Sequence, residues 1–321
     1  MTKHSADLIM QRIDEKSNPS VVGLDPRLSM LPAEIREAAL KEFGDTFEGA
    51  GYALLQFNKQ IIDNIADIVA IVKPQMAFYE QYGHHGVKAF QETVQYAHAK
   101  GMLVIGDSKR NDIGSTAAAY AAGHLGEVEL FNSSQKSLDV DWLTVNAYLG
   151  EDGVAPFCKM CEQYGKGIFV LVKTSNPSSK QFQDVELTNA GKPLYVLVAE
   201  TMHTLATNYI GEKGYSSLGA VVGATYPEEA VVVRRILKSS YLLVPGFGAQ
   251  GGGAEDTLPF FNDDGYGAVV NSSRGIIFAY KQDGCAYQED QWTSAVRDAA
   301  ITMRDDIVGV LRKYNKLPHG W

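Results

Sequence analysis

Three ionisable residues, Asp107, Lys109 and Asp112, close a short apolar run in the pattern D-x-K-x-x-D. An acid, a base and a second acid within six residues are the raw material of acid–base chemistry, provided that the fold aims them at one point. Residues 102–105 are apolar and of strand length, and side chains two apart on a strand share a face, so Asp107 and Lys109 point the same way. Asp112 lies beyond the strand. Gly114, Ser115 and Thr116 before Ala117 read as a turn, an N-cap and a helix start, which puts Asp112 on a strand-to-helix loop. An isolated D-x-K-x-x-D is equally at home as a solvated charged turn. The elements around it must decide.

Those elements come in a regular order. Residues 20–25 form a strand ending in Asp25, and the following Pro26 prevents smooth extension. Residues 31–65 carry helical patterns through Leu54, Phe57, Ile61, Ile62 and Ile65, with a break at Gly44 and Asp45 that suggests an insertion. Residues 66–75 are an apolar run without alternation, as expected of a strand buried on both faces, and they end in Lys73, Pro74 and Gln75. A helix near 86–99, the strand 102–107 and a helix near 116–125 follow, and then strands at 141–146, 168–173, 218–225, 241–246 and 267–274. Further helices are expected at 192–209, 227–238 and 291–314. Eight strand–helix units without a dividing linker point to an α/β chain folded as one (β/α)8 TIM barrel over residues 1–321, with an N-terminal helical extension. Barrel enzymes carry their active sites at the C-terminal strand ends, where Asp25, Lys73, Asp107, Lys109, Thr174, Ser175 and Arg274 all fall.

Composition narrows the function. The 321 residues are 45% hydrophobic and 21% charged, the balance of an ordinary soluble globular protein. A net charge of -9 argues against nucleic-acid or anionic-membrane partners, while leaving room for a local site for an anionic small molecule. The first fourteen residues lack an apolar leader core and read as an amphipathic helix, so a cytoplasmic protein is expected. Cys158 and Cys161 form a C-x-x-C, but no second cysteine pair or histidine pair accompanies them. A three-residue offset on a helix makes them structural thiols sooner than zinc ligands.

After the seventh strand come Pro245, Gly246, Gly248, Gln250 and Gly251–Gly253, and after the eighth Ser272, Ser273, Arg274 and Gly275. Glycines let backbone N–H groups approach an anion, and Arg274 adds a forked donor. Loops seven and eight are the habitual phosphate site of a barrel. Gly246, Gly248 and Gly251 also match the dinucleotide fingerprint G-x-G-x-x-G. That match fails on context, because the glycines sit in the seventh unit and the next strand ends in Asn271, not a ribose-binding acid.

Gly23, Asp25 and Pro26, then Lys73 and Pro74, the run from Asp107 to Thr116, the loop from Pro245 to Gly252, and Arg274 with Gly275 together resemble the orotidine 5'-phosphate decarboxylase family over residues 20–280. The chain's length and the contexts of Lys73 and Lys173 are similar to the longer bacterial and protozoan branch. The resemblance implies a charged tetrad of Lys73, Asp107, Lys109 and Asp112, with Asp112 and Thr116 donated to the site of a neighbouring subunit in a homodimer. It further implies that Asp25 and Lys73 bind ribose hydroxyls, that Thr174 and Ser175 contact the pyrimidine, that Gln250 bridges phosphate and base, and that Arg274 holds phosphate. Gln75, Ile113, Pro245, Gly246, Ser273 and Gly275 complete the expected nucleotide contacts.

The reaction so implied needs no metal or organic cofactor. Loss of carbon dioxide from carbon 6 leaves an in-plane carbanion, and Lys109 is placed to stabilise and protonate it. Two rivals remain: a magnesium-dependent sugar-phosphate aldolase or decarboxylase of the same superfamily, and a silent sensor of phosphate ligands. The first needs a further acid where the second strand ends in Lys73, and the second leaves Lys109 and Asp112 idle.

Overall fold

The computed structural model describes residues 3–225, 227–248 and 253–321. Eight parallel strands close into a barrel: β1 (Ser20–Leu24), β2 (Ile71–Pro74), β3 (Leu103–Arg110), β4 (Trp142–Val145), β5 (Gly167–Lys173), β6 (Ser216–Val222), β7 (Ser240–Pro245) and β8 (Ala268–Ser272). Each pairs with its sequence neighbour, and β8 pairs with β1 to complete the ring. Most strand residues are buried, since side chains face either the barrel interior or the surrounding helices; this is why the sequence runs are apolar without alternation. Register sets Gly23 opposite Lys73 and Pro245 opposite Asn271, so the polar strand ends share one rim.

Besides a single turn at Ala77–Glu80, the α-helices of the described residues are α1 (Ser5–Lys16), α2 (Ala33–Phe43), α3 (Phe47–Ile65), α4 (Gly83–Ala99), α5 (Gly114–Leu125), α6 (Ala155–Tyr164), α7 (Leu194–Ala206), α8 (Pro227–Ile236), α9 (Arg274–Ile277) and α10 (Trp292–Lys313). α1 buries Ala6, Ile9, Met10 and Ile13 against Val21, Ile71, Leu103 and Ile105, and thereby plugs the end of the barrel opposite the polar rim. Cutting Ile9 back to alanine in such a setting costs about 2–5 kcal/mol. Inside, the Trp142 and Phe169 rings stack at 4.5 Å. Outside, Phe57 of α3 stacks on Phe278 and Trp292, at 5.6 and 5.1 Å, which ties the last helix to the first barrel unit.

Several boundaries differ from the sequence expectation. The strand expected over 66–75 is confined to Ile71–Pro74, because residues 66–68 make a turn that ends α3 even though Ile68 and Val69 are buried. The third strand runs on to Arg110. α5 begins at Gly114 with Ile113 at its N-cap and no side-chain cap, so Ser115, read from the sequence as the cap, is a first-turn residue together with Thr116. Lys192 and Pro193 belong to a small hairpin with Glu186 and Leu187, and α7 starts only after them. The break at Gly44 is as expected: Gly44 ends α2 with a φ of 68°, and Thr46 caps α3 through Gly49 N–H.

Candidate functional site

Asp107 is the centre of the polar rim. Its Oδ2 accepts from Lys73 Nζ at 2.7 Å and Gln75 Nε2 at 3.0 Å, and its Oδ1 accepts from Lys109 Nζ at 2.6 Å and Thr144 Oγ1 at 2.9 Å. All four residues come from neighbouring strand ends, β2, β3 and β4. Burial by itself would raise the Asp107 carboxyl. The ammoniums of Lys73 and Lys109 more than reverse that, holding it well below the usual carboxylate range. Lys73 is 4% exposed, and although burial pulls its ammonium down, Asp107 and Asp25 turn the net shift upward. Asp25 has a buried Oδ1 without a hydrogen-bond partner among the described residues.

Lys109 has a φ of 48°, a left-handed conformation that a residue with a Cβ adopts at a cost of about 1–3 kcal/mol. The strand pairing shifts register there, between Gly106 and Arg110, and Thr144 Oγ1 accepts the Lys109 N–H at 3.0 Å. The kink turns the ammonium back onto Asp107 and leaves it partly open to the rim. Sequence reasoning placed these two side chains on one face but missed Thr144. Its only signal was a hydroxyl inside an otherwise apolar fourth strand.

Asp112 does not join this cluster: its Oδ1 accepts from Ile113 N at 2.8 Å. Ile113 is 54% exposed and Thr116 is exposed on the first turn of α5. At the β5 end, Thr174 is bonded within its own loop, while Ser175 packs against Gly223, where a Cβ would stand 2.7 Å from that of Ser175. At the β7 and β8 ends, Pro245 pairs with Asn271, just before Ser273 and the start of α9 at Arg274 and Gly275. Gly246 has a φ of 104°, Ser272 Oγ donates to Phe247 O at 3.4 Å, and Arg274 is exposed. Gly23 cannot carry a side chain, since a Cβ would run into Ser273 Oγ. Gln250 lies outside the described residues, as do Gly251 and Gly252.

A roomy cavity of about 720 Å³, lined by Arg27, Leu28, Arg36, Ala50, Phe78 and Tyr82, lies beside this cluster and shares none of its residues. Shape alone would draw attention there. The convergent charges on Asp107 weigh more, because perturbed ionisable groups collect where chemistry is done. Cys158 and Cys161 are free and buried in α6, with the Cys158 thiol pushed up to about 12 by burial, as befits unreactive thiols.

Fold and rim together define a (β/α)8-barrel protein with a lysine–carboxylate centre. Residues 22–286 match the model of the "Orotidine 5'-phosphate decarboxylase / HUMPS family", and the chain belongs to that family. It is 46% identical over 290 residues to orotidine 5'-phosphate decarboxylase of Rhodopirellula baltica, covering 90% of this chain and 93% of the relative. Against the Caldicellulosiruptor saccharolyticus enzyme of the same name, identity is 42% over 280 residues, covering 86% and 90%. The solved structure of Leishmania donovani OMP decarboxylase superposes with a TM-score of 0.72 at 28% identity, covering 97% of this chain and 98% of that one. Among the described residues no helix is long and apolar enough to cross a membrane.

Proposed function

We infer that this chain converts orotidine 5'-phosphate to uridine 5'-phosphate, the last step of pyrimidine nucleotide synthesis. The observation that carries the inference is one buried carboxylate, Asp107, held between the ammoniums of Lys73 and Lys109 on the polar rim of a barrel of this family. In the proposed reaction the bond from carbon 6 to the carboxylate breaks and its electron pair stays on carbon 6, in the ring plane. Lys109 stabilises that pair and transfers a proton to it, and solvent reprotonates the amine. Because the ammonium is already oriented by Asp107 and by the bent backbone, little reorganisation is needed at the moment of reaction.

Asp25 and Lys73 take the ribose hydroxyls, with Gln75 beside them, and Thr174 and Ser175 face the pyrimidine. Ser273, Arg274 and Gly275, with Pro245, Gly246 and Gln250, hold the phosphate. A charge-assisted hydrogen bond nets about 1.5–3 kcal/mol, so the grip supplies binding energy that can keep the site closed and ordered. The reaction so drawn uses no metal or organic cofactor. A magnesium-dependent reading would need Asp107 as a ligand, yet both its oxygens already accept two hydrogen bonds each.

The active form is a homodimer in which Asp112 and Thr116 complete the partner's site. Support comes from Asp112, whose carboxylate accepts from the adjacent Ile113 N–H and has no bond to Lys109 among the described residues, and from the apolar surface beside it: Ile113, Tyr148 (82% exposed) and Leu149. A cavity of about 640 Å³ between α5 and α6, lined by Ile113, Ala118, Pro156 and Met160, would receive the partner. Incubation with orotidine 5'-phosphate and a chelator tests the activity. Loss of pyrimidine absorbance in the chelator's presence is expected, and turnover only with added magnesium would overturn the assignment.

A further inference from the structure

The β5 end carries a second buried ammonium that the proposed chemistry does not use. Lys173, the last residue of β5, is 1% exposed. It pairs with Asp184, from the excursion over residues 177–193, and with Glu229 Oε1 of α8 at 3.3 Å, and it lies over the Tyr195 ring of α7 at 5.2 Å. An ammonium buried at a strand end is costly to desolvate, and an apolar side chain would serve the strand as well. What the charge adds is geometry, since one group binds four separate segments at a single point.

The neighbouring residues repeat the arrangement. Gln183, next to Asp184, holds Thr174, next to Lys173: Gln183 Oε1 accepts the Thr174 N–H at 2.9 Å and Gln183 Nε2 donates to Thr174 Oγ1 at 2.8 Å. Thr174 Oγ1 in turn donates to Asn176 Oδ1 at 2.6 Å, which spends its single proton within the loop. Gly223 N–H donates to Lys173 O at 2.9 Å, and Gly223 gives Ser175 the room to pack against it. Thr174 is therefore anchored on both sides, which leaves half-buried Ser175 as the hydroxyl of the pair available to a ligand.

We propose that Lys173, clasped by Asp184 and Glu229, and Gln183, which grips Thr174, form a positioning clamp that sets Ser175 at the base end of the nucleotide site and makes residues 177–193 part of base recognition. The clamp rests on the proposal that this loop faces the pyrimidine. Lys173 and Gln183 are positioning residues, because they act through Thr174 and Ser175. Without the Lys173 ammonium, Asp184 and Glu229 are left as two like charges, and the excursion loses its tie to β5.

The test compares two ligands, uridine 5'-phosphate and ribose 5-phosphate, which share phosphate and ribose and differ in the base. In Lys173→Met, and in the milder Gln183→Leu, whose side chain is only half-buried, the Kd for uridine 5'-phosphate should rise about tenfold while that for ribose 5-phosphate stays within about twofold. KM for orotidine 5'-phosphate should rise with a smaller change in kcat, since base contacts serve ground and transition states alike. Equal losses for both ligands, the mark of a merely structural role, would overturn the clamp. Ser175→Ala reads the underlying contact separately. Weaker binding of uridine 5'-phosphate there, with none in Gln183→Leu, overturns the clamp alone; no loss in Ser175→Ala overturns the contact on which the clamp rests.

Discussion

Thr144 stands between the two charged residues of the D-x-K motif: its hydroxyl donates to Asp107 Oδ1 at 2.9 Å and accepts the Lys109 N–H at 3.0 Å. One hydroxyl thus fixes both the carboxylate and the strained backbone of the lysine that it orients. Thr144→Val keeps the shape and deletes both bonds, and at about 1.5–3 kcal/mol for a hydrogen bond to a charged group kcat should fall about ten- to a hundredfold. Thr144→Ser should restore most of it. Steady-state kinetics of the two variants checks this, and an unchanged kcat in Thr144→Val would remove Thr144 from the site.

Lys109→Ala is expected to abolish nearly all turnover while nucleotide binding persists, because the ammonium acts on charge that develops only in the transition state. Retained turnover within about tenfold of the wild type would contradict this. Asp112→Ala should be inactive for a different reason, the loss of a group given to the partner. Mixing the two inactive proteins under conditions where subunits exchange should restore activity, since some mixed dimers hold one intact site. Proven exchange without recovered activity would rule out the shared site.

For the phosphate grip, Arg274→Ala should weaken substrate and product nucleotides alike and lose a few kcal/mol of transition-state stabilisation, roughly the worth of one or two charge-assisted bonds. Against orotidine, which has no phosphate, the same variant should behave almost as the wild type. The measurement is kcat/KM for both substrates in both proteins. Equal proportional losses would mark Arg274 as a scaffold residue.

His124, 4% exposed on α5, should govern part of the acid stability. Burial, and then the nearby Arg110 guanidinium, lower its pKa from 6.5 to about 3. The folded chain therefore keeps His124 neutral while the unfolded chain takes up a proton below pH 6.5, so stability falls as pH drops from about 6.5 toward 3. By pH 5 the loss from this residue is about 2 kcal/mol. Urea unfolding at pH 7 and pH 5 should show a smaller drop for His124→Gln than for the wild type, and equal drops would assign the acid sensitivity to other groups. Asp107 does not confuse the comparison of pH 7 with pH 5: its depressed pKa adds stability that is lost progressively only as the pH falls through the ordinary carboxylate range and below.

The barrel was legible because its causes are local. A strand buried on both faces must be apolar along its length, and Ile168 to Val172 or Tyr241 to Val244 say so without any partner in view. A helix that covers such strands repeats its apolar residues every three or four positions, as Leu54, Phe57, Ile61 and Ile65 do. The common face of Asp107 and Lys109 followed from the period of a strand. Where apolar character alone was the signal, the sequence misled: residues 68–72 are as apolar as a strand, yet Ile68 lies in the turn that finishes α3 and the strand begins only at Ile71.

What only the tertiary structure decided are the meetings between distant segments. Thr144 reaches Asp107 across 37 residues of chain, and Lys73 reaches the same carboxylate across 34; nothing in the local pattern says which strand ends will be neighbours until the barrel closes. The positive φ of Lys109 arises from a register shift between β3 and β4, a property of the pair and of neither strand alone. The clamp at Lys173 needs an excursion folded back on the strand from which it left and a glutamate from the following unit. Sequence determined which residue types stand at each strand end, since hydrophobic periodicity is encoded residue by residue; their distances and charge states came from closure of the ring, because Coulomb and hydrogen-bond energies depend on separations that no single segment contains.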